Sequence, residues 1–216
     1  MYRIPRHPAP MVLELVRHLR ISEALKLLLR NTFSLDHFYL LARPLAALPA
    51  MPPVMLGSGK MRIMTEEDLN GLYGQIAALG YDDKRDLLSR ILFFNMGFKN
   101  CYIVKENGTV AHLQWMVLPS ENERLKRVYR SRFLPLQEHQ VMIENAFTFP
   151  ACRGRGFFPY VTMQMLKRAQ EQGFTQAVTY ARKDSVKVLS HLAQLGFKMI
   201  RLAPEYKFLG RTWRTW

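Results

Sequence analysis

Apolar positions along this chain change period repeatedly, and the changes mark out its elements. Near the N-terminus Val12, Leu15, Val16 and Leu19 recur at helical spacing, and Leu25, Leu28 and Leu29 repeat it after a Ser22 cap. The opposite face carries Arg17, Arg20, Lys26 and Arg30, so this stripe either packs on its own domain or lies on a membrane surface or partner. Phe38-Tyr39-Leu40-Leu41 reads as an extra strand, and the proline-rich run from Pro44 to Pro53 as a linker. Met61–Met64 is the first strand of the main domain. Thr65-Glu66-Glu67-Asp68 is a capping box for a helix bearing Leu69, Leu72, Tyr73 and Ile76. A second helix from about Lys84 carries Leu87, Leu88, Ile91 and Leu92. Cys101–Val104 and Val110–Val117 are strands joined at Asn107-Gly108, where both central positions of a tight hairpin can take positive φ. Ser120-x-x-Glu123 opens a basic stretch that runs to Arg132. A strand over Val141–Phe149, a helix from Gly156 to Ala169, a strand over Gln176–Tyr180 and a helix over Ser185–Leu195 come next. A last strand pair spans Met199–Leu202 and Tyr206–Leu209. This order predicts an α/β chain (an α+β mixed sheet with helices on its faces), divided into an N-terminal helical extension and linker, 1–55, and a main domain, 56–216.

The most informative stretch runs from Glu144 to Pro159, because it couples a strand to a helix through a basic, glycine-bearing turn. Pro150 ends the strand, since proline cannot donate a ladder hydrogen bond. Pro159 fits a first helical turn and Gly173 a helix stop. Between strand and helix, Arg153-Gly154-Arg155-Gly156 sets amides without side-chain bulk at a helix N-terminus, a geometry that suits phosphate. It is not a P-loop, because Phe157-Phe158 follow where Lys-Ser/Thr is needed, and it lacks the third glycine of a dinucleotide fingerprint. Taken alone, a solvated basic turn is the other reading of such a glycine pair.

Arg153-Gly154-Arg155-Gly156-Phe157-Phe158 resembles the acyl-CoA-binding motif of the GNAT superfamily of N-acetyltransferases, Arg/Gln-x-x-Gly-x-Gly/Ala. Arg153 and Gly156 match, and Phe158 stands at the final small position. Thr148-Phe149-Pro150 is similar to the family's strand end, and Asp184-Ser185 through Leu195-Gly196-Phe197 to its next helix with a Leu-Gly-Phe ending. The resemblance covers roughly residues 60–210. It implies a GNAT-like fold whose two central parallel strands splay apart to admit an acyl thioester. It implies acetyl-CoA, or another acyl-CoA, as co-substrate, with direct transfer to an amine. By the same resemblance Arg153, Gly154, Arg155, Gly156, Phe157 and Phe158 hold the pyrophosphate. Thr148 and Phe149 form the strand end that meets pantetheine, and Ser185 takes the place of a helix-starting asparagine that contacts the cofactor or acts as a cap.

Composition narrows the picture modestly. The chain has 216 residues, 49% of them hydrophobic, with 31 Lys and Arg against 17 Asp and Glu and a formal charge of +14. A globular protein of this charge suits acidic partners: CoA phosphates, an acyl carrier protein, an anionic membrane surface or nucleic acid. A homodimer also stays open. Cys101 and Cys152 lack metal spacing and read as reduced intracellular thiols. No apolar run reaches the ~18 residues of a spanning helix, and no signal-peptide core follows Arg3 and Arg6. The expectation is a cytoplasmic protein, with a position peripheral to the membrane open.

For chemistry, acyl transfer to an amine needs a base more than a nucleophile. Glu144 is the candidate: a carboxylate on a central strand, four residues before Thr148 and on the same face by the period of two. The structural alternative is pairing with Arg130 or Arg132. Asn145 faces the other way and either contacts the acceptor or caps a loop. Leu192 stands where many family members carry an acidic tyrosine, which leaves His191, Tyr160, Tyr180 and Tyr206 as options. Cys152 has no base beside it. His112, His139 and His191 show no ligand spacing, so no metal is expected. The aromatic residues Phe147, Phe149, Phe157 and Phe158 suggest an apolar channel and, with it, long-chain acyl transfer as a variant. The basic stretch to Arg132 and the tail Arg211, Trp213, Arg214 and Trp216 leave a nucleic-acid or lipid face as a different class, or a strand end with snorkelling arginines.

Overall fold

The hairpin predicted at Asn107-Gly108 forms with φ of 49° and 79°, the positive pair that a two-residue turn requires. It joins β3 (Cys101–Glu106) to β4 (Thr109–Val117), and around it the computed structural model describes residues 33–48, 60–208 and 211–215. The remaining strands are β1 (Phe33–Pro44), β2 (Arg62–Ile63), β5 (Gln140–Thr148), β6 (Gln176–Arg182), β7 (Lys198–Phe208) and β8 (Arg211–Arg214). The helices are α1 (Glu66–Gln75), α2 (Tyr81–Asn95), α3 (Asn122–Tyr129), α4 (Phe157–Glu171) and α5 (Val186–Gln194). One mixed sheet orders the strands β2-β3-β4-β5-β6-β1-β7-β8. Helices α1, α2 and α3 cover one face through Leu72, Leu88, Ile91 and Leu125, packed on Leu113, Trp115 and Met142. Helices α4 and α5 cover the other through Val161, Met165, Leu166 and Leu192, packed on Met116, Val141 and Ile143. Among the described residues no helix is long and apolar enough to cross a membrane.

Several expectations shift. The extra strand expected at Phe38–Leu41 forms, but it spans residues 33–44 and, although placed from sequence in an extension before the main domain, lies between β6 and β7, antiparallel to both. Leu40, Leu41 and Ala42 are buried on alternate faces, the pattern of a strand covered on both sides rather than of an appendage. The final strand pair is instead one strand, β7, plus the short β8 beyond it. Pro204 does not break β7: the position pairs with His37 of β1, and its carbonyl accepts Thr215 N–H at 3.2 Å. The turn before α3 is closed by Glu121 accepting Leu118 N–H at 3.0 Å, not by a Ser120 cap. The first strand shrinks to two residues, and α2 starts three residues earlier, after Gly80. The helices expected over residues 12–30 and the prolines 49, 52 and 53 lie outside the described residues.

Candidate active site

β5 and β6 run parallel, yet their ladder covers only Gln140↔Gln176, Val141↔Ala177 and Met142↔Val178. Beyond Met142 the strands part, and the cause lies on the other edge of β5. There Leu113 faces Phe147 and Trp115 faces Glu144, so two residues, Asn145 and Ala146, oppose the single Gln114. Asn145 takes φ 57°, a left-handed value that asparagine tolerates better than most residues. This bulge bends β5 away from β6. It also interrupts the alternation of faces. Glu144 lies opposite Trp115, in the α1–α3 core, whereas Thr148 lies opposite His112, on the α4 side. The expectation that Glu144 and Thr148 share a face is therefore corrected: the two sit on opposite faces of a strand whose edge is open between them.

Arg90 of α2 holds the bulge. Its Nε lies 3.1 Å from Ala146 O and 3.2 Å from Asn145 O, and its Nη2 donates to Ala146 O at 2.9 Å. Nη1 donates back to Asp86 O at 2.7 Å. The half-buried Glu144 accepts Tyr180 N–H of β6 at 2.6 Å on Oε1, and Thr179 Oγ1 lies 3.4 Å from the same oxygen. The carboxylate thus bridges the parted strands and meets an amide that the β5–β6 ladder no longer reaches. Enclosure by protein pushes its pKa up to about 7, against the Tyr180 amide and the Arg214 charge, which favour the ionised form. Neither Arg130 nor Arg132 pairs with it; Arg132 donates to Glu205 instead. Asn145 has its carbonyl on Arg90.

On the α4 side, Gly154 (φ 76°) and Gly156 (φ 82°) turn the chain into the helix in conformations that only glycine enters freely. Gly156 is the N-cap of α4, with no side-chain cap bond. Among the described residues the amides of Gly156, Phe157 and Phe158 meet no acceptor, and Pro159 has none to satisfy. These amides, the helix dipole and two arginines fit a diphosphate. In the free protein Arg153 pairs with Asp83 and Arg155 with Glu106, so a phosphate competes with two carboxylates there. Arg153 Nε also donates to Thr148 O at 3.1 Å. The Phe149 amide is committed to Ala111 O at 3.0 Å and its carbonyl to Cys152 N–H at 2.8 Å. Ser185 precedes α5 without a side-chain cap bond.

Behind Thr148 lies a buried polar chain. Gln114 Oε1 accepts from Thr162 Oγ1 of α4 at 3.1 Å and lies 3.4 Å from His112 Nε2. With the His112 proton on Nε2, Nδ1 accepts from Thr148 Oγ1 at 2.8 Å. Burial pulls the His112 pKa down to about 4, so the ring is neutral at physiological pH.

The remaining candidates fall elsewhere. Phe147, Phe149 and Phe157 are buried, the first two edge to face at 5.1 Å, so these rings fill the core rather than line an open channel. Tyr180 OH accepts Leu134 N–H at 3.1 Å, and burial pushes its pKa up to about 12. Tyr206 stacks on Trp213, and His191 lies 6.1 Å from the Phe158 ring. Burial and the neighbouring Glu106 raise the Cys152 thiol, the wrong direction for a nucleophile. Arg90 and the His112–Gln114 pair escape the sequence reading, although signals exist. Arg90 is a charge three residues after Leu87 on an apolar stripe, and His112 and Gln114 are polar at alternate positions of an apolar strand.

Among the solved structures that share this architecture are three acetyltransferases. A GCN5-related glucosamine N-acetyltransferase region of a fungal multi-domain β-N-acetylglucosaminidase matches with TM-score 0.58 and 14% identity, over 89% of this chain and 22% of that one. A GCN5-related N-acetyltransferase from Sphaerobacter thermophilus matches with TM-score 0.56 and 12% identity, over 86% and 54%. A GNAT-family acetyltransferase from Colwellia psychrerythraea matches with TM-score 0.53 and 17% identity, over 85% and 60%. The chain thus spans less than two thirds of the length of each, and at these identities the likeness is one of fold. No family model and no curated protein matches.

Proposed function

We propose that this chain, which has the GNAT N-acetyltransferase fold, is an acyl-CoA-dependent N-acyltransferase moving an acetyl group to a primary amine by direct attack. The observation that carries the reading is the parting of β5 from β6 above Met142, with a carboxylate on one face and a glycine turn with free amides on the other. The donor supplies the acyl group as a thioester. The turn amides and Arg153 and Arg155 bind its diphosphate once Asp83 and Glu106 are displaced. The open edge of β5 between Glu144 and Thr148 is where an extended amide arm can pair as a strand would. Glu144 takes the proton that makes the amine nucleophilic. The C–N bond then forms as the C–S bond breaks, and the sulfur leaves with the electron pair of that bond and takes up the proton that the new amide nitrogen sheds. A carboxylate poised near 7 suits this work at neutral pH. Packing of Phe147, Phe149 and Phe157 favours a short acyl group over a long one.

The test is a thermal-shift and calorimetric titration with CoA, acetyl-CoA and a long-chain acyl-CoA, repeated on Gly156→Asp. A ligand that binds only the native state raises its melting temperature by mass action. Binding of CoA and acetyl-CoA, abolished by the aspartate at the α4 N-cap, is the expected result. Preference for the long chain reverses the acyl assignment. No binding to any of the three removes the CoA reading and leaves an acyl carrier protein donor, or a non-catalytic basic module, as its replacement.

A further inference from the structure

Along the outermost strands the usual arrangement, polar side chains outside and apolar ones inside, is reversed on one face. Tyr39 of β1 packs on the core under α4 and α5, and it stands opposite Leu202 of β7. By the period of two Leu35 shares that face, opposite Tyr206. Tyr206 is in turn opposite Trp213 of β8, and the two rings stack at 5.8 Å. Their neighbours Glu205 and Arg214 point to the other face and are buried. The apolar residues are not: Leu35, Leu202, Phe208 and Trp213 are 46%, 44%, 51% and 39% exposed. Apart from Ile63, every large apolar side chain exposed among the described residues lies on α5, β1, β7 or β8, so the exposure gathers at one edge of the sheet and is no scatter of single residues.

How the chain enters this face says what covers it. β1 opens at Phe33, and the three residues from Arg30 to Phe33 span about 11 Å at most. Residues 12–30, which lie outside the described residues, are therefore tethered beside the outer strands. Their sequence carries the matching surface, with Val12, Leu15, Val16 and Leu19, then Leu25, Leu28 and Leu29, at helical spacing. Nine helical residues are about 13 Å long, and three strands are about 10 Å across between their axes, so one such helix bridges β1, β7 and β8. With the leucines turned inward, Arg17, Arg20, Lys26 and Arg30 stay in water. A stripe given to a lipid surface leaves Leu35 and Trp213 bare, whereas docking within the chain covers both apolar surfaces at once. We propose that residues 12–30 dock this stripe on the face formed by Leu35, Leu202, Tyr206, Phe208 and Trp213, and so extend the α4–α5 layer over β7 and β8.

The experiment is photo-crosslinking of the full chain, with p-benzoylphenylalanine in place of Trp213, in an equal mixture of isotope-labelled and unlabelled copies. Adducts to residues 12–30 within one copy are the expected result. Phe208, on the same face, gives the same map when it carries the probe, and keeps the test open where the first replacement does not fold. Thr212, which alternates to the other face, gives no adduct to that segment. Leu25→Asp combined with Leu28→Asp is expected to lower the adduct yield by about tenfold, the cost of unburying a leucine, and Arg17→Gln to leave it unchanged. Adducts joining labelled to unlabelled copies make a second copy the occupant and overturn the proposal. Absence of adducts to residues 12–30 from both probe positions also overturns it. Flotation with phosphatidylcholine–phosphatidylglycerol vesicles, lost in the leucine variant, then assigns the stripe to a membrane.

Discussion

With Glu144 as the proposed base, the demands of folding and of chemistry oppose each other at this residue, which gives a test that separates a catalytic carboxylate from a structural one. Its pKa stands near 7, well above the usual carboxylate range, so the folded state holds a proton that the unfolded chain has already lost. The sign follows from proton counts. Between about 4.3 and 7 the native state binds more protons, so this residue's contribution to stability falls as the pH rises through that window. Glu144→Gln keeps an oxygen for Tyr180 N–H and cannot ionise. We expect it to raise the melting temperature at pH 8 by about 2–4 °C, a gain on the order of 1 kcal/mol. The same substitution is expected to cut kcat by about 10²–10⁴-fold and to leave acetyl-CoA affinity unchanged. Scanning calorimetry and steady-state kinetics on one preparation check both halves. A variant that loses stability and keeps kcat assigns Glu144 to structure. In the wild type, kcat/KM is expected to rise with pH up to a limb near 7.

At the scale of elements, the strand–turn–helix from β5 to α4 was legible because its chemistry is local: glycines where φ must be positive, prolines where N–H groups are dispensable. The parting of the strands was not, because it accompanies a bulge whose carbonyls are held by Arg90, 55 residues upstream in sequence. The face of Thr148 was misread for the same reason, since an extra residue inverts the period of two. The polar chain Thr148–His112–Gln114–Thr162 joins β5, β4 and α4: the His112–Gln114 link lies within β4, and the bonds at its two ends cross to β5 and α4. It holds the strand end and the glycine-turn helix in register. His112→Leu deprives Thr148 Oγ1 of its acceptor and Gln114 of one donor, a loss of about 1–3 kcal/mol. It also removes a titration. The folded His112 pKa, about 4, lies below its unfolded value, so its contribution is lost as the pH falls from about 6.5 toward 4. Denaturant midpoints across that range are expected to fall more steeply for the wild type than for His112→Leu. Parallel curves would sever the histidine from this role.

For the whole molecule, the deepest departure from the sequence reading is where β1 sits, since the strand itself was expected at Phe38–Leu41. The proline-rich run made 1–55 look like an appendage, because prolines mark linkers locally and say nothing of where the preceding strand returns. Its register with β6 and β7 places residues 33–44 third from the β8 edge, so a chain starting at residue 56 loses an interior strand. Such a chain is expected to show no cooperative urea transition. Charge is the other property of the whole. A formal +14 invites a nucleic-acid reading, yet cations at the candidate site are committed within the protein: Arg153 to Asp83, Arg155 to Glu106, Arg90 to the bulge, Arg214 to Glu205. What they leave for a ligand is a turn of free amides with two displaceable arginines, which suits one diphosphate rather than a long anionic strand. Raising salt from 50 to 200 mM should then weaken acetyl-CoA binding by about tenfold at most, whereas a protein with many backbone contacts loses about 10³–10⁵-fold in duplex affinity. Calorimetry in acetyl-CoA and fluorescence anisotropy with a labelled duplex, over the same salt series, separate the two. Steep, tight duplex binding without acetyl-CoA affinity would mean that the fold has been turned to a basic surface and that the split between β5 and β6 is a scaffold.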